Sequence, residues 1–500
     1  MNSKKERKNL GLLSLSALVV GSVIGSGVFN LMTNMSTSAS LMAILIGWAI
    51  TGVGMLFLVL CFLNLNKKRA HLDAGIYSYA EAGFGKFMGF NAAWGYWISA
   101  WVGNVAYATL MFSSLAYFFK MFDGGINPFN GNTFIAGQNI PSIIGASVVL
   151  WVGHFLILRG VKSASFTNII VTAAKLIPIA IFILTAFIAF KLNIFTADIW
   201  GTATKGFEFN SVFEQVRSTM LVTVWVFIGI EGAVIFSGRA KKRKDVGRAT
   251  ILGFLTVLSI YLLVSVLSLG VKTSPELAAL GQPGMATLLE SIVGTWGAVL
   301  VNIGVIVSIA GAWLAWTMFA FELPYQAALK GTFPKVFALE NKNGTPVVAL
   351  TITNLLVQAF LFTFLIDGSA YTFAFSLATT TILVPYAFTA FYQLKYSMQE
   401  KAGTSHRNLN IAVGLVASIY AIWLVYAAGL SFLLLTSVIY APGIVIFAWA
   451  RLSSKKKKVF AMWEMGVALA LVILCVYTIY LISTGHFIDG ALEIPSSIFP

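Results

Sequence analysis

Thirteen apolar runs of about 18 residues or more divide the chain, and they constrain its fold more strongly than any other feature of the sequence. A helix of about 20 apolar residues crosses a bilayer and satisfies its own backbone hydrogen bonds there. Only 10% of the residues are charged, whereas about 25% is usual in a soluble protein. We therefore predict an all-α, polytopic membrane protein. The predicted spans are approximately 11–31, 38–63, 88–118, 141–158, 165–189, 214–238, 248–270, 286–321, 346–366, 370–393, 410–428, 430–450 and 459–482.

The basic residues of the loops predict the orientation of these spans. Cytoplasmic loops of membrane proteins carry an excess of Lys and Arg, and a cytoplasmic N-terminus places most Lys and Arg residues of this chain on that side. An odd number of spans then puts the C-terminal tail, residues 483–500, outside the cell. The same asymmetry accounts for the net charge of +15 without a nucleic-acid partner. We expect a multi-pass protein of the cell membrane.

Two spans are interrupted at mid-membrane by glycine and polar residues. Span one contains GSVIGSGVF at residues 21–29, and span six contains LVTVWVFIGIEGAVIFS at residues 221–237, where glycines flank Glu231. Glycine weakens a helix, and irregular backbone at membrane depth is tolerated only where it is buried in protein or lines a cavity. Interruptions at corresponding positions of two chain halves are typical of a transporter binding site.

The spacing of the two interruptions predicts the domain organisation. The second interruption lies five spans after the first, and a repeat with an odd number of spans returns inverted in the membrane. We predict one transmembrane domain over residues 1–500. Its first repeat covers about 11–189, its second about 214–393, and accessory spans cover about 410–482.

The ends of the interrupted helices predict a site for the backbone of an amino acid. A half-helix that starts at Ser26 and Gly27 offers free N–H groups to a carboxylate. Carbonyl groups of Val23 in span one, and of Trp225 and Ile228 in span six, offer acceptors to an ammonium group. The two clusters match the α-carboxylate and α-amino groups of an amino acid. The alternative is that the glycines allow close helix packing and the acid of span six is paired within the bundle.

Side chains near the interruptions predict a preference for a cationic substrate. Glu231 can pair with a positive side chain, and Trp225 and Trp316 can stack on a cation, worth about 0.5–2 kcal/mol. Asn104 and Tyr107 add polar groups at depth in span three. The alternative for the tryptophans is a place in the core or the interface belt. For Asn104 and Tyr107 it is hydrogen bonding between helices.

The remaining polar residues of the spans have simpler interpretations. Lys175 is the one basic residue predicted at mid-membrane, where it can replace a bound cation, carry a proton or donate to backbone carbonyls. Glu322 is interpreted as a paired acid near the inner surface, with a gate as the alternative. Cys61 and Cys475 lie in apolar spans without ligand-like spacing. No catalytic motif occurs in the sequence, so we expect no metal site, no cofactor and no enzymatic activity.

Four stretches carry a resemblance to a known family. They are GSVIGSGVF in span one, WVFIGIEGA in span six, DAGIYSYAEAGFG before span three and LVPY in span ten. They resemble the amino acid–polyamine–organocation superfamily, and within it the basic amino acid/polyamine antiporters, nearest to arginine/ornithine exchangers. The resemblance covers spans one to twelve. It implies a LeuT-type fold of five-plus-five inverted repeats, with spans one and six discontinuous and spans eleven to thirteen added.

The resemblance also implies roles for the residues of the two interruptions. It implies that Ser26 and Gly27 bind the backbone of the substrate. The carbonyl groups of Val23, Trp225 and Ile228 would then receive its amino group.

For the surrounding residues the resemblance implies more specialised roles. It implies gating and stacking by Trp225 and Trp316, and a substrate contact by Asn104. It further implies proton sensing by Glu231, and a lysine in place of a sodium site at Lys175. Two positions depart from the arginine/agmatine pattern: alanine stands at 378 where a serine is expected, and tyrosine stands at 107 where a methionine is expected.

We predict a secondary transporter that exchanges a cationic amino acid for its related amino acid or amine product, with arginine and ornithine favoured. Histidine/histamine exchange, lysine/cadaverine exchange and proton-coupled amino acid uptake are alternatives. A channel and an amino-acid sensor are alternatives from other classes. The expected partners are cationic amino acid and amine substrates, the lipid bilayer and a second copy of the chain in a homodimer.

Overall fold

The structure is a computed structural model that describes residues 11–69, 72, 76–160, 164–202, 204–231, 242–366, 370–453 and 459–484. Within these ranges the chain is helical, and two isolated β-bridges pair Ile126 with Thr133 and Glu340 with Pro346. The all-α prediction is confirmed. The basic N-terminus, Gly232 and the tail beyond residue 484 lie outside the described residues.

The helices follow one another along the chain with short connections. They are α1 (Leu12–Val23), α2 (Leu31–Ser36), α3 (Leu41–Lys68), α4 (Ile76–Phe84), α5 (Lys86–Ala116), α6 (Ile140–Leu158), α7 (Ala164–Ile188), α8 (Leu192–Phe195), α9 (Phe209–Phe227), α10 (Arg243–Leu269), α11 (Ser274–Ala278), α12 (Gly284–Val293), α13 (Thr295–Leu329), α14 (Val347–Leu361), α15 (Ala370–Gln399), α16 (Arg407–Ser453) and α17 (Met462–Ser483). Single 3₁₀ turns lie at Gly27–Asn30, Lys120–Phe122, Lys335–Ala338 and Phe362–Leu365.

The helices agree with the predicted membrane spans. Among the described residues, eight helices are long and apolar enough to cross a membrane, and the bent pair at residues 15–23 and 27–36 makes a ninth. A helix covers each of the thirteen predicted runs, in whole or in part. The predicted turn between spans eleven and twelve is a kink within α16 at Gly429, whose φ of 82° and ψ of 159° are not helical.

One predicted boundary was wrong. The run 286–321 was predicted as a single span, but it divides at Gly294 into the short helix α12 and the long helix α13. Gly294 has a φ of 85°, which L side chains rarely adopt and which glycine adopts freely. Hydrophobicity continues across the division, so the apolar pattern did not reveal it.

Helix α5 is the central element of the fold, because other helices pack around it along its whole length. Most of its side chains are buried, and it packs against both α13 and α15. Glycine permits the closest approaches: a Cβ atom at Gly95 would lie 1.7 Å from the Tyr440 hydroxyl and 2.7 Å from the Thr381 carbonyl oxygen. Small residues at helix interfaces allow backbones to approach in membrane proteins. A rigid, buried α5 can therefore present one face to an internal site.

The last helix, α17, is attached to this centre by one carboxylate. Glu464 is 5% exposed. One of its carboxylate oxygens accepts a hydrogen bond of 3.0 Å from the Phe87 amide at the start of α5, and the other accepts one of 2.8 Å from the Ala461 amide at its own helix start. First-turn amides of a helix have no partner within the helix. Glu464 therefore caps two helices and joins α17 to α5.

We predict that Glu464→Ala lowers the thermal stability of the purified protein. The substitution leaves the buried Phe87 amide without an acceptor, at a cost of about 1–3 kcal/mol, and removes the acceptor of the partly buried Ala461 amide. The measurement is the unfolding temperature in detergent. Glu214→Ala is the control, because Glu214 forms an exposed ion pair with Arg217 and such pairs contribute about 0–1 kcal/mol. Equal unfolding temperatures for the two variants would contradict the capping role.

Candidate functional site

The first interruption lies between α1 and α2. Helix α1 ends at Val23, and Ile24 is extended, with φ of −72° and ψ of 91°. The chain turns helical again in the 3₁₀ turn that begins at Gly27, whose first hydrogen bond runs from the Phe29 amide to the Ser26 carbonyl at 3.2 Å. The two halves meet at an angle of 45°. The amides of the residues before Phe29 thus open the second half-helix, where helices commonly bind anions.

The second interruption follows α9. The helix ends at Phe227, Ile228 has a ψ of 130°, and Gly229 has a φ of 102°. A side chain at Gly229 would place its Cβ atom 2.9 Å from the Ser22 carbonyl oxygen and 3.1 Å from the Trp316 ring. Glycine is needed here both for its backbone conformation and for the close approach of span one. The predicted interruption of span one is confirmed, and α9 ends where the break in span six was predicted. The remainder of span six, from residue 232, lies outside the described residues.

Hydrogen bonds join the two interruptions directly. The Ser22 hydroxyl lies 2.9 Å from the Val19 carbonyl oxygen and 3.2 Å from the Gly229 carbonyl oxygen, and its single proton serves one of them at a time. The hydroxyl of Tyr261, on α10, lies 2.9 Å from the Val226 carbonyl oxygen and 3.2 Å from the Val23 carbonyl oxygen. Its single proton serves one of these two carbonyls at a time. The ends of α1 and α9 are therefore held against each other.

Lys175 supports the end of α1 from the neighbouring helix α7. Its ammonium group donates hydrogen bonds of 2.8 Å to the carbonyl oxygens of Gly21 and Ile24, and the residue is 2% exposed. The carbonyl end of a helix carries partial negative charge and attracts a cation. Lys175 provides that positive charge with its own side chain. Of the three roles expected for this residue, the contacts match donation to backbone carbonyls.

A cavity lies between the interruptions and α5. It has an empty volume of about 360 Å³, which includes the space at its open side. Its wall contains seven of the predicted site residues, Val23, Ser26, Gly27, Tyr107, Trp225, Ile228 and Trp316. Three other predicted site residues are described by the structure but do not line this cavity: Asn104, Lys175 and Glu231.

The wall is closely built around Gly27 and Gly25. A Cβ atom at Gly27 would lie 2.8 Å from a Val226 methyl group and 3.0 Å from the Trp225 ring, and one at Gly25 would lie 2.5 Å from the Tyr107 hydroxyl. Ser26 is fully buried, and its hydroxyl has no hydrogen-bond partner among the described residues. Backbone amides and a free hydroxyl therefore remain near the cavity for a ligand.

Glu231 lies just beyond the second interruption and is held by two tyrosines. One carboxylate oxygen accepts a hydrogen bond of 2.5 Å from Tyr96 on α5, and the other accepts one of 2.9 Å from Tyr386 on α15. The residue is 1% exposed. Both hydroxyl groups direct their protons to the carboxylate, so a buried negative charge has donors to satisfy it.

Asn104 and Glu322 are each bound by a neighbouring side chain. The Asn104 amide nitrogen donates to the Thr317 hydroxyl at 3.2 Å, and no described residue bonds to its amide oxygen. Glu322 accepts a hydrogen bond of 2.6 Å from Gln326, one turn further along α13. The described residues contain no cluster of three or more potential metal ligands, and both cysteines are free.

The predicted site list missed several residues that the fold brings to the cavity. They are Gly25, Ser99, Gly103 and Val226 in the wall, and Tyr96, Tyr386 and Tyr261 behind it. A signal for part of this set exists in span three. Tyr96, Ser99, Gly103 and Tyr107 recur at intervals of three or four residues, so they share one face of a helix.

Comparisons with known proteins agree with this architecture. A family model described as "Amino acid permease" matches residues 10–469. An arginine/ornithine antiporter of Pseudomonas aeruginosa is 48% identical over 458 residues, which cover 90% of this chain and 92% of that protein. An arginine/agmatine antiporter of Chlamydia caviae is 39% identical over 490 residues, 97% of this chain and 99% of that protein.

A solved structure shows the fold at much lower sequence identity. The crystal structure of MhsT in complex with L-phenylalanine matches with a TM-score of 0.56 and 15% identity, covering 85% of this chain and 100% of that one. The predicted LeuT-type fold is confirmed.

We predict that Lys175→Met destabilises the protein. The substitution leaves the carbonyl oxygens of Gly21 and Ile24 without their donor, at a cost of about 1–3 kcal/mol for each unsatisfied group. The unfolding temperature in detergent measures the loss. Lys191→Met, which alters an exposed lysine, is the control. An unchanged unfolding temperature for Lys175→Met would show that the end of α1 does not depend on this ammonium group.

Proposed function

Because this chain belongs to the amino acid permease family of the amino acid–polyamine–organocation superfamily, we propose that it is an antiporter for cationic amino acids, with arginine and ornithine as the favoured pair. The observation that carries the proposal is the cavity between two interrupted helices, with Trp225 and Trp316 in its wall. The arginine/ornithine antiporter that shares 48% of its residues supports the choice of substrates.

The broken ends hold the part of the substrate that all amino acids share. The amides at Gly27 and the Ser26 hydroxyl bind the α-carboxylate. The carbonyl groups of Val23, Trp225 and Ile228 receive the α-ammonium group. Donors and acceptors are thus separated across one small cavity, which orients the amino acid before its side chain is recognised.

The wall then selects the side chain. Trp225 and Trp316 stack on its cationic head, an interaction worth about 0.5–2 kcal/mol. Glu231 supplies negative charge beyond the cavity, while Asn104 and Tyr107 on α5 contribute polar contacts. A carboxylate, aromatic faces and neutral acceptors together favour an ammonium or guanidinium group over an uncharged side chain.

Exchange follows from the cost of moving an unloaded carrier. A desolvated charge within the membrane costs about 2.5–3.5 kcal/mol or more, and Glu231 is fully enclosed. A bound cation neutralises this charge during the crossing. A cationic substrate moving each way leaves no net charge displaced, so concentration gradients drive the exchange.

Lys175 makes the carrier independent of sodium in this proposal. Its ammonium group occupies the carbonyl oxygens at the end of α1, where an inorganic cation would otherwise find acceptors. The rival function, proton-coupled uptake, would require Lys175 or Glu231 to gain and lose a proton in each cycle.

The membrane arrangement completes the proposal. Residues 11–189 and 214–393 form the inverted repeats, and residues 410–482 form accessory spans of the single domain, which covers residues 1–500. The N-terminus is cytoplasmic and the C-terminus external, in the cell membrane. Two copies form a homodimer.

Arginine/agmatine exchange is the second candidate, favoured by the relative that is 39% identical. The chain differs from that pattern at Tyr107, which places a phenol beside Gly25, and at Ala378, which lacks a hydroxyl group and is buried outside the cavity lining. Because of these two departures, we rank agmatine below ornithine as the counter-substrate. Histidine/histamine and lysine/cadaverine are tested beside them.

Counterflow in proteoliposomes tests the function. Vesicles loaded with ornithine are expected to accumulate labelled arginine, and empty vesicles are not. Competition by lysine, histidine, agmatine, cadaverine and histamine ranks the substrates. Equal uptake into empty vesicles would indicate proton-coupled uptake, non-saturating flux a channel, and binding without flux a sensor. Each of these outcomes overturns antiport.

We predict that Glu231→Gln lowers arginine/ornithine exchange about tenfold or more. The substitution removes the charge that a cationic substrate neutralises and one acceptor of the Tyr96 and Tyr386 protons. Initial counterflow rates measure the effect, with Glu214→Gln as a control on the exposed end of α9. Normal exchange by a well-folded Glu231→Gln variant would exclude this role of the acid.

A further inference from the structure

We propose that Ser99 on α5 determines substrate specificity by accepting a hydrogen bond from the distal nitrogen of the transported amino acid. This inference rests on the proposed exchange of cationic amino acids. It concerns the far end of the side chain, beyond the groups that hold the substrate backbone. The evidence is the position of Ser99 in the cavity wall, the state of its hydroxyl group and the order of the residues around it.

The Ser99 hydroxyl is buried and unused by the protein. Ser99 is 3% exposed and lines the cavity, yet its hydroxyl oxygen has no hydrogen-bond partner within the described part of the chain. Buried polar atoms almost always have a partner, so each exception calls for an explanation. A ligand that enters the cavity would supply the missing partner.

Two buried threonines near Ser99 in the fold bind their own helices instead. Thr109 on the same helix donates back to the Val105 carbonyl at 3.2 Å, and Thr317 on α13 donates to the Trp313 carbonyl at 2.8 Å. Such bonds to the preceding turn are the usual way in which a helical Ser or Thr is satisfied. Ser99 makes no such bond in the structure, which leaves its oxygen available.

Residues on one face of α5 follow one another from the first interruption past the Trp225 ring. Tyr107 lies against Gly25 at the first interruption, and a Cβ atom at Gly103 would lie 3.5 Å from the Trp225 ring. Ser99 lies one helical turn beyond Gly103, about 6 Å along the helix axis. A substrate whose α-groups are held at the interruption therefore extends past Trp225 toward Ser99.

The charge behind Ser99 favours a cationic nitrogen at this point. The next residue on this helix face is Tyr96, which donates its hydrogen bond to the carboxylate of Glu231. The hydroxyl oxygen of Ser99 can accept a proton of an ammonium or guanidinium group, and a hydrogen bond from a charged donor is stronger than one between neutral groups. Ser99 is thus the neutral acceptor that the distal nitrogen meets before the Tyr96–Glu231 pair.

The test compares ornithine with norvaline, which has the same carbon chain without the δ-amino group. Both compete against labelled arginine in counterflow, for the wild type and for Ser99→Ala. Ser99→Ala is expected to raise the inhibition constant of ornithine and the KM for arginine about tenfold. The inhibition constant of norvaline and the maximal exchange rate stay within twofold. Ser99→Thr, which keeps the hydroxyl group, retains the wild-type ratio of the norvaline and ornithine constants.

The matched control is Ser114→Ala. Ser114 lies on the same helix, is fully buried and has a hydroxyl group without a partner in the described residues, but it lies outside the cavity lining. Its substitution leaves the ratio of the two constants unchanged. If Ser99→Ala cannot be purified, Ser99→Gly removes the same hydroxyl group without added volume.

The outcomes separate this inference from the proposed function. A wild type that does not exchange arginine for ornithine overturns the function itself. A wild type that exchanges them, with a Ser99→Ala variant of unchanged ratio, overturns the role of Ser99 alone. A parallel rise of both constants would assign Ser99 a purely structural role and would also overturn the inference.

Discussion

Backbone polar groups that lie within lipid need partners inside the protein, and this requirement governs the structure around both interrupted spans. Ending α1 at Val23 and α9 at Phe227 frees carbonyl and amide groups at mid-membrane. Lys175 and Tyr261 bind some of the freed carbonyls from neighbouring helices. Residues of both ends line a cavity, and we propose that this cavity is the site of a polar ligand.

Helix α5 connects this site to the buried acid behind it. On one face of α5, Tyr107 lies against the first interruption, Gly103 lies beside the Trp225 ring, and Ser99 lines the cavity. One turn further, Tyr96 binds Glu231. Because the helix is packed on all sides, these contacts cannot move independently.

The sequence predicted the site from residues whose type is unusual for a membrane span. Glycines near Ser26 and Glu231 indicated the interruptions. The structure brings Ser26 into one cavity wall with Val23, Gly27 and Trp225, while Glu231 lies outside that lining. The prediction failed where residue type was ordinary. Tyrosine and serine are common in spans, so the pairing of Tyr386 with Glu231 and the unpartnered hydroxyl of Ser99 had no clear signal. A contact between Glu231 and a substrate side chain stays a prediction.

The sequence by itself determined that the chain crosses a membrane as helices, and where two of them are interrupted. Hydrophobicity and helix propensity are local properties, readable from neighbouring residues. Only the tertiary structure decided that Lys175 binds the end of α1, that Tyr96 and Tyr386 share one carboxylate, and that Gly294 separates α12 from α13. The contacts of Lys175 and Glu231 depend on which helices pack together, and the division at Gly294 depends on the backbone angles of one residue. The apolar pattern of the sequence specifies neither the packing nor these angles.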